Sequence, residues 1–334
     1  MRATLVIPTR NRSEDLHHVD MPRGARALKV LKAVCALSRL TRRVRPDVVH
    51  AHFSIGMLCL AFVSRLKGVR YLSTFQGMRF PVVSGLSRYC FKLIECLTII
   101  RLNRSWVLTE DDFSSVPKFV RKKLEIQNGY GFGCDISHFD ADQFESEGKL
   151  ELRKKLGIPE HDFLYIFVGR LTEFKGFLLL LEAFQKLCED VSNVRLLIVG
   201  EIDEQHPLNL PDLNRMNKVH HVGWQDDLAP YLAISNAMVF PSYREGMPVC
   251  LMEAVSMGLD IVTSKSRGCV DLGKFARAVL VEHSAASVLD GMRAVYIRRN
   301  KKMTDEYLRG ALAREVFFES VGRVYDGEEL SCSS

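Results

Sequence analysis

No apolar run in this 334-residue sequence approaches the roughly 20 residues needed to cross a bilayer. Residues 4–7 are too short an apolar core for a secretory signal. No Cys-x-x-C pair occurs, and no Cys/His cluster has zinc spacing, so a structural zinc module is not expected. There is no P-loop, and no Ser-His-Asp or Cys-His set stands out. Chemistry through a serine or cysteine nucleophile therefore has no support. Internal repeats and low-complexity linkers are also missing.

The length suits two ordinary domains, and the charged and apolar fractions are those of a globular protein. The nine cysteines are odd in number and scattered, which fits reduced, mostly buried thiols in a cytosol. Charge is uneven. Residues 1–135 carry 23 Lys and Arg against 10 Asp and Glu, a net of +13, while the remainder carries 23 against 30, a net of −7. A basic half beside an acidic half suggests that the first half meets an anionic surface. Membrane phospholipid, a lipid-linked phosphate or nucleic acid would each serve.

One stretch organises the rest: Phe240-Pro-Ser-Tyr-Arg-Glu-Gly-Met-Pro-Val-Cys-Leu-Met-Glu253. It reads as a strand over 237–240, a tight loop over 241–247 and a helix from about Pro248 to Met257. Proline suits a helix's first turn, and Gly258 suits its end. Glu245 then lies in the loop and Glu253 about a turn and a half into the helix. Backbone N–H groups at Met247 and Val249, beside Gly246, would face an anion docked at the helix start. One carboxylate can hold sugar hydroxyls, the helix start can hold phosphate, and the other carboxylate can hold ribose. Two exposed glutamates on a capped surface helix are the plainer alternative.

Other segments gather polar groups at strand ends. Residues 3–7 read as a buried strand, 25–43 as a helix, and Val48-Val49 as a short strand ending in His50 and His52. A helix over 55–67, a strand over 69–75, a helix over 85–104 and a strand over 105–109 follow. The 85–104 helix is apolar, with Arg88, Lys92, Arg101 and Arg104 on it. It is either a core helix with solvated ends or a face that touches a membrane. Gly131 and Gly133 make a hinge. Asp140-Ala-Asp142 formally matches a metal-binding D-x-D, but no further carboxylate supports it and it reads as a solvated loop. Residues 163–169 form a buried strand, after which Arg170 and Lys175 flank a loop ahead of a helix over 177–187. Fixed cations at a strand's carboxyl end suit a diphosphate.

The Glu245–Glu253 stretch resembles the E-x7-E signature of retaining glycosyltransferases of family 4, which have the GT-B fold. Asp47-Val-Val-His-Ala-His52 is similar to that family's N-domain segment. Ser73-Thr-Phe-Gln-Gly77 resembles its Thr-x-His-Gly, with Gln76 where the family has a histidine near the transferred sugar. Gly169-Arg170-Leu171 followed by Lys175-Gly176 resembles its diphosphate-binding loop. Val219-His-His-Val-Gly-Trp224 resembles a segment near the nucleotide base, which places Gly223 at the donor. Arg267-Gly-Cys-Val-Asp-Leu272 resembles capsule and exopolysaccharide members. The opening, Thr4 to Leu16, looks instead like the start of family 2 glycosyltransferases, which have the GT-A fold.

The resemblance implies an α/β protein with two Rossmann-like domains whose parallel sheets face across a cleft. Residues 1–133 would form the acceptor-side domain, 134–315 the nucleotide-sugar domain, and 316–334 a closing helix and tail. Too little chain precedes His52 for the family's usual front, so the first domain is expected to be shortened, with an exposed sheet edge. It further implies Glu245, His52 and Gln76 as catalytic residues. Arg170, Lys175, Gly169, Gly246, Met247, Pro248, Val249, Glu253 and Gly223 would bind the donor. No metal and no cofactor are implied, with a UDP-sugar as the foremost co-substrate. The acceptor would be a lipid-linked saccharide, at the anionic inner face of the cell membrane, with no nucleic acid as partner. A catalytically weak donor-binding or scaffold subunit is the alternative, because Gln76 cannot titrate.

Overall fold

The computed structural model describes residues 2–6, 16–20, 27–52, 54–127, 131–204, 207–273, 277–298 and 310–326. Residues 327–334 of the expected closing helix and tail, and residues 7–15 of the opening that resembles family 2, lie outside the described residues. Two compact units form: Met1–Gln127 with Gly322–Ser334, and Asn128–Val321.

The first unit opens with β1 (Arg2–Val6) and β2 (Leu16–Asp20), paired antiparallel from Arg2↔Asp20 to Val6↔Leu16. They form a two-stranded sheet of their own. The expectation of one strand leading directly to a helix is therefore corrected. Leu16-His-His-Val-Asp20 has only two apolar residues, too few to announce a strand by pattern alone. Next come α1 (Ala27–Val44), β3 (Val48–His52), α2 (Ser54–Phe62), β4 (Arg70–Phe75), α3 (Gly85–Arg101), β5 (Arg104–Val107), α4 (Glu110–Ser115) and β6 (Leu124–Ile126). The four strands β3-β4-β5-β6 lie side by side, all parallel, in sequence order.

Two readings of element ends change for local reasons. α2 stops before Ser64–Leu66, where the Tyr71 hydroxyl takes over the backbone: it accepts from Leu66 N at 3.1 Å and donates to Ser64 O at 3.4 Å. Thr109, expected to end a strand, instead caps α4, its side chain accepting from Asp112 N at 3.2 Å.

The second unit contains α5 (Ser146–Lys155), β7 (Phe163–Val168), α6 (Phe177–Asp190), β8 (Val194–Val199), β9 (Val219–His221), α7 (Ala229–Ala233) and β10 (Ala237–Phe240). It continues with α8 (Val249–Ser256), β11 (Asp260–Ser264), α9 (Arg267–Gly273), β12 (Ala278–Val281), α10 (Ala285–Ile297) and the start of α11 (Arg314–Asp326), whose residues from Gly322 on count with the first unit. All six strands are parallel, in the order β12-β11-β10-β7-β8-β9. Every residue of β7 is buried, as a parallel strand covered on both faces requires. α6 covers it with Phe177, Leu180, Leu181, Phe184 and Leu187, a helical stripe. The order runs outward in both directions from β7 and β10, so the chain reverses between them. Crevices at such a switch point, beyond the strands' carboxyl ends, are where open α/β sheets take ligands.

Gly133 is not a loose hinge. Cys134 N donates to Leu312 O at 2.8 Å, and Arg314 N donates to Cys134 O at 3.1 Å. A Cβ on Gly133 would lie 2.5 Å from Arg314 Cα. Asp140-Ala-Asp142 is a local cap, Asp140 Oδ1 accepting from Asp142 N at 3.1 Å. The thiols are mixed: Cys59, Cys96, Cys134 and Cys269 are buried, while Cys35 and Cys90 are exposed. Among the described residues no helix is long and apolar enough to cross a membrane.

Candidate functional site

The switch point of the second unit carries the side chains singled out in its sequence. β7 is followed by Gly169 and Arg170, and β10 by the 241–247 loop with Glu245. Two close backbone approaches bring these segments together. Gly176, at φ 69°, lies so near the loop that a Cβ would meet Pro241 O at 2.1 Å. Gly200, at φ 139°, would meet Gly169 O at 2.0 Å. Both positions need glycine for space and for backbone angle. Phe174 O then accepts from Tyr243 N at 2.9 Å and from Ser242 Oγ at 3.1 Å, joining the Lys175 turn to the Glu245 loop.

On this frame Lys175 Nζ lies 2.7 Å from Glu245 Oε1, and Ser242 Oγ donates to the same oxygen at 2.6 Å. Glu245 Oε2 accepts no hydrogen bond among the described residues, so it remains able to take one from a ligand hydroxyl. Lys175 also stands 5.1 Å above the Phe240 ring. Its expected partner was a diphosphate alone, whereas here it pairs with Glu245. The pair explains how a carboxylate with 11% of its side-chain surface exposed keeps its charge compensated.

Arg170 behaves differently. Its guanidinium is 68% exposed and pairs at 2.5 Å with Asp203, which follows β8 and is 9% exposed. Asp203 was not singled out from sequence. Its signal is an acidic residue three positions beyond Val199-Gly200, on the strand next to β7.

α8 begins at Val249, with Pro248 as its N-terminal flank and no side chain capping it. Gly268 of α9 packs against the loop, and a Cβ there would meet Gly246 O at 1.8 Å. Gly246 and Met247 are thus held at the helix start. Glu253 is half-buried one turn further on, and burial pushes its carboxyl up to about 7, with His138 opposing and Asp227 adding to the rise. Gly223, at φ 68°, gives its carbonyl to Gly200 N at 2.8 Å, beside Gly169.

In the first unit, His52 ends β3 and Gln76 follows β4. The register pairs His52 with Thr74, so the two sites lie at the carboxyl ends of neighbouring strands. His52 stacks on His50 with centroids 4.4 Å apart. His50 Nε2 lies 2.8 Å from Thr74 Oγ1. Burial lowers both imidazoles, His50 to about 3 with His52 adding to it, so each is neutral at neutral pH. The backbone after Gln76 is fixed by two buried carboxylates missed in the sequence. Asp112 Oδ2 accepts from Met78 N at 3.2 Å. Glu95 accepts from Arg79 N at 2.9 Å and Phe80 N at 3.2 Å.

Two family models match. "Glycosyl transferases group 1" covers residues 148–303, and "Glycosyl transferase 4-like domain" covers 7–112, starting inside the stretch that resembles family 2. An Escherichia coli UDP-Gal:α-D-GlcNAc-diphosphoundecaprenol α-1,3-galactosyltransferase is 27% identical over 74% of this chain and 65% of its own. The Staphylococcus aureus capsular polysaccharide biosynthesis glycosyltransferase CapM is 24% identical over 78% of this chain and 69% of its own. The chain spans only 60–65% of the length of several such relatives. The Anabaena protein HepE, solved with UDP, superposes with a TM-score of 0.74 at 15% identity, covering 90% of this chain and 84% of that one. Matches to both units, and the agreement of its fold with such structures, make this chain a member of the family 4-type glycosyltransferases of the GT-B fold.

Proposed function

We propose that the protein is a retaining glycosyltransferase that moves a sugar from a nucleotide-sugar, foremost a UDP-sugar, to a lipid-linked saccharide during capsule, exopolysaccharide or lipopolysaccharide synthesis. The observation that carries this is the Lys175–Glu245–Ser242 cluster at the β7/β10 switch point, beside Arg170 and the uncapped start of α8. The polymer-building relatives and the UDP complex of HepE support the choice of substrates.

The chemistry follows from charge. The bond between the sugar's anomeric carbon and the diphosphate oxygen breaks, and negative charge grows on that oxygen. Arg170, Lys175 and the α8 start stabilise it. The acceptor hydroxyl attacks from the same face, so configuration is retained, and its proton passes to the leaving phosphate. Glu245, fixed through Oε1, presents Oε2 to the sugar and opposes the positive charge developing on the ring. Glu253 holds ribose hydroxyls. His52, neutral, and Gln76 serve as hydrogen-bonding groups toward the transferred sugar.

The membrane part of the reading rests on α3. Leu86, Tyr89, Leu93, Leu97 and Ile100 follow helical spacing, and each is between 41% and 80% exposed. The other charged side chains of this helix are Arg88, Lys92 and Arg101, while its one acid, Glu95, is buried. An apolar stripe edged only by cations suits anionic headgroups, whereas a second copy of the same face would bring like charges together.

A panel of UDP-, GDP-, ADP- and TDP-sugars tests the donor by thermal shift. A true donor at 100 times its Kd stabilises by about 2.7 kcal/mol. Gln76 favours the second reading, a weakly catalytic donor-binding subunit. Donor hydrolysis without acceptor decides between them, because a scaffold would bind the donor and leave it intact.

A further inference from the structure

The carboxyl ends of three neighbouring strands of the second unit meet at one backbone carbonyl. Ser242, fully buried, is the second residue after β10, and its hydroxyl donates to Glu245 Oε1 at 2.6 Å. Its carbonyl takes two bonds from other segments. Ser264, the last residue of β11, donates to it through Oγ. His283, two residues past β12, places Nε2 3.2 Å from it. In the sheet β11 lies between β10 and β12, so the imidazole reaches across β11 to the Glu245 loop. A carbonyl can only accept, so the ring carries a hydrogen on Nε2. The same ring stacks on Tyr243, with centroids 4.4 Å and planes 11° apart. The backbone around His283 is fixed from behind: Glu282 N donates to Ser287 Oγ at 3.0 Å, and Ser284 caps α10. Tyr243 and His283 are both exposed, so their stack removes little apolar surface from water and adds little to the core.

We propose that His283 is a positioning residue for Glu245, acting through Ser242. This rests on the reading of Glu245 as the carboxylate that faces the transferred sugar. The path has two bonds. The imidazole fixes the direction of the Ser242 carbonyl, and with it the Ser242 backbone. The Ser242 hydroxyl, carried on that backbone, fixes Glu245 Oε1 and so the direction of Oε2. A carbonyl has two lone pairs. Ser264 alone fills one and lets the peptide tilt about a single bond, and the second donor removes that freedom. Lys175 holds the same Glu245 oxygen at 2.7 Å, but its flexible four-carbon stem can follow a displaced carboxylate, which the short Ser242 side chain cannot. The tilt matters because a charge that opposes the developing ring cation is effective only where it is preorganised. Ser264, and the bond from Tyr243 N to Phe174 O, keep the loop folded without His283. His283 therefore bears on the aim of Glu245 more than on stability, and the two are separable by experiment.

Two replacements in the intact chain separate the ring's two contacts. His283→Gln keeps an N–H donor near the position of Nε2 and loses the stack. His283→Phe keeps the stack and loses the donor. Turnover is read as UDP released from UDP-glucose and UDP-galactose. In His283→Phe it should fall about 3- to 10-fold, the scale of one hydrogen bond, with calorimetric UDP affinity and the unfolding midpoint unchanged. His283→Gln should stay near wild type. In a Glu245→Gln background His283→Phe should cost nothing further, because the charge that it aims is gone. Amide hydrogen exchange at Tyr243, whose N–H donates to Phe174 O, gives a reading that needs no activity. It should quicken in His283→Phe and not in His283→Gln. Tyr243 exchange or turnover unchanged in His283→Phe, equal losses in the two variants, or a further loss in Glu245→Gln overturns the proposal. If wild type releases no UDP from either sugar while Tyr243 exchange quickens only in His283→Phe, the hold of His283 on the loop stands and the catalytic reading of Glu245 falls instead.

Discussion

The two units solve the same packing problem with different reserves. The second has six parallel strands, a reversal of order between β7 and β10, and one contiguous core running from Cys134 to Leu312. The first has a four-stranded parallel sheet in sequence order besides its opening hairpin, and its buried residues fall into three clusters. The reversal matters for chemistry, because it parts the loops after β7 and β10 and leaves a crevice where Lys175 and Glu245 meet. The first unit has no such reversal among its described strands. Its distinctive surface is the exposed apolar stripe of α3. On the proposed reading the two units divide the work: one holds a charged small molecule, the other offers polar groups at strand ends and an apolar, cationic face.

The largest effect expected belongs to the second unit. Glu245→Gln keeps the shape of the side chain and removes its charge, so turnover should fall about 10²–10³-fold with little change in donor affinity. A loss confined to KM would place Glu245 in ground-state binding and weaken the comparison. Gly176→Ala should then destabilise the second unit by at least about 1–3 kcal/mol from the backbone angle alone, and displace the Glu245 loop through Pro241. Denaturant unfolding would reveal it, and an unchanged midpoint would mean that the two segments are not so closely joined.

Glu253 gives a signed pH effect. Its folded carboxyl titrates near 7, above the usual carboxylate range. The stability it contributes is complete below about pH 4.5, where it is protonated folded and unfolded, and is lost as pH rises through 7. Glu253→Gln should therefore make the donor-free protein more stable at pH 8 by about 1–3 kcal/mol, with no gain at pH 4, while weakening nucleotide binding. Equal melting shifts at both pH values would contradict this. The smallest effect concerns the first unit. Leu93→Glu should reduce binding to anionic vesicles without touching UDP affinity, and wild-type binding should fall as salt shortens the Debye length from about 10 Å at 0.1 M to about 3 Å at 1 M. Vesicle binding that survives both changes would detach α3 from the membrane.

Much of the second unit was legible in sequence for a physical reason. Parallel strands buried on both faces are continuous apolar runs, so β7 and β10 announce themselves, and Pro248 with Gly258 brackets α8. The first unit was less legible. Its opening hairpin contains a strand with two apolar residues, and α2 ends where the hydroxyl of Tyr71, on the next strand, claims the backbone of Ser64 and Leu66, a side-chain contact that periodicity does not announce. Within the site, residue types were readable but partnerships were not. Lys175 and Glu245 are 70 positions apart, His138 and Asp227 are 89 apart, and Arg170 meets Asp203 across a neighbouring strand. Local patterns carry no information on such pairings. The buried Asp112 and Glu95, which fix the backbone after Gln76, were not singled out in the sequence for the same reason.

The central claim is that the β7/β10 switch point of the second unit holds the diphosphate of a nucleotide-sugar. Calorimetric titration of UDP into wild type and Lys175→Ala, with each fold checked by its unfolding transition, tests it most directly. Wild type should bind, and the variant should bind about 10- to 100-fold more weakly, the scale of a lost hydrogen bond to a charged group. Equal affinity in the two proteins, or a folded wild type that binds none of UDP, GDP, ADP and TDP, would contradict it.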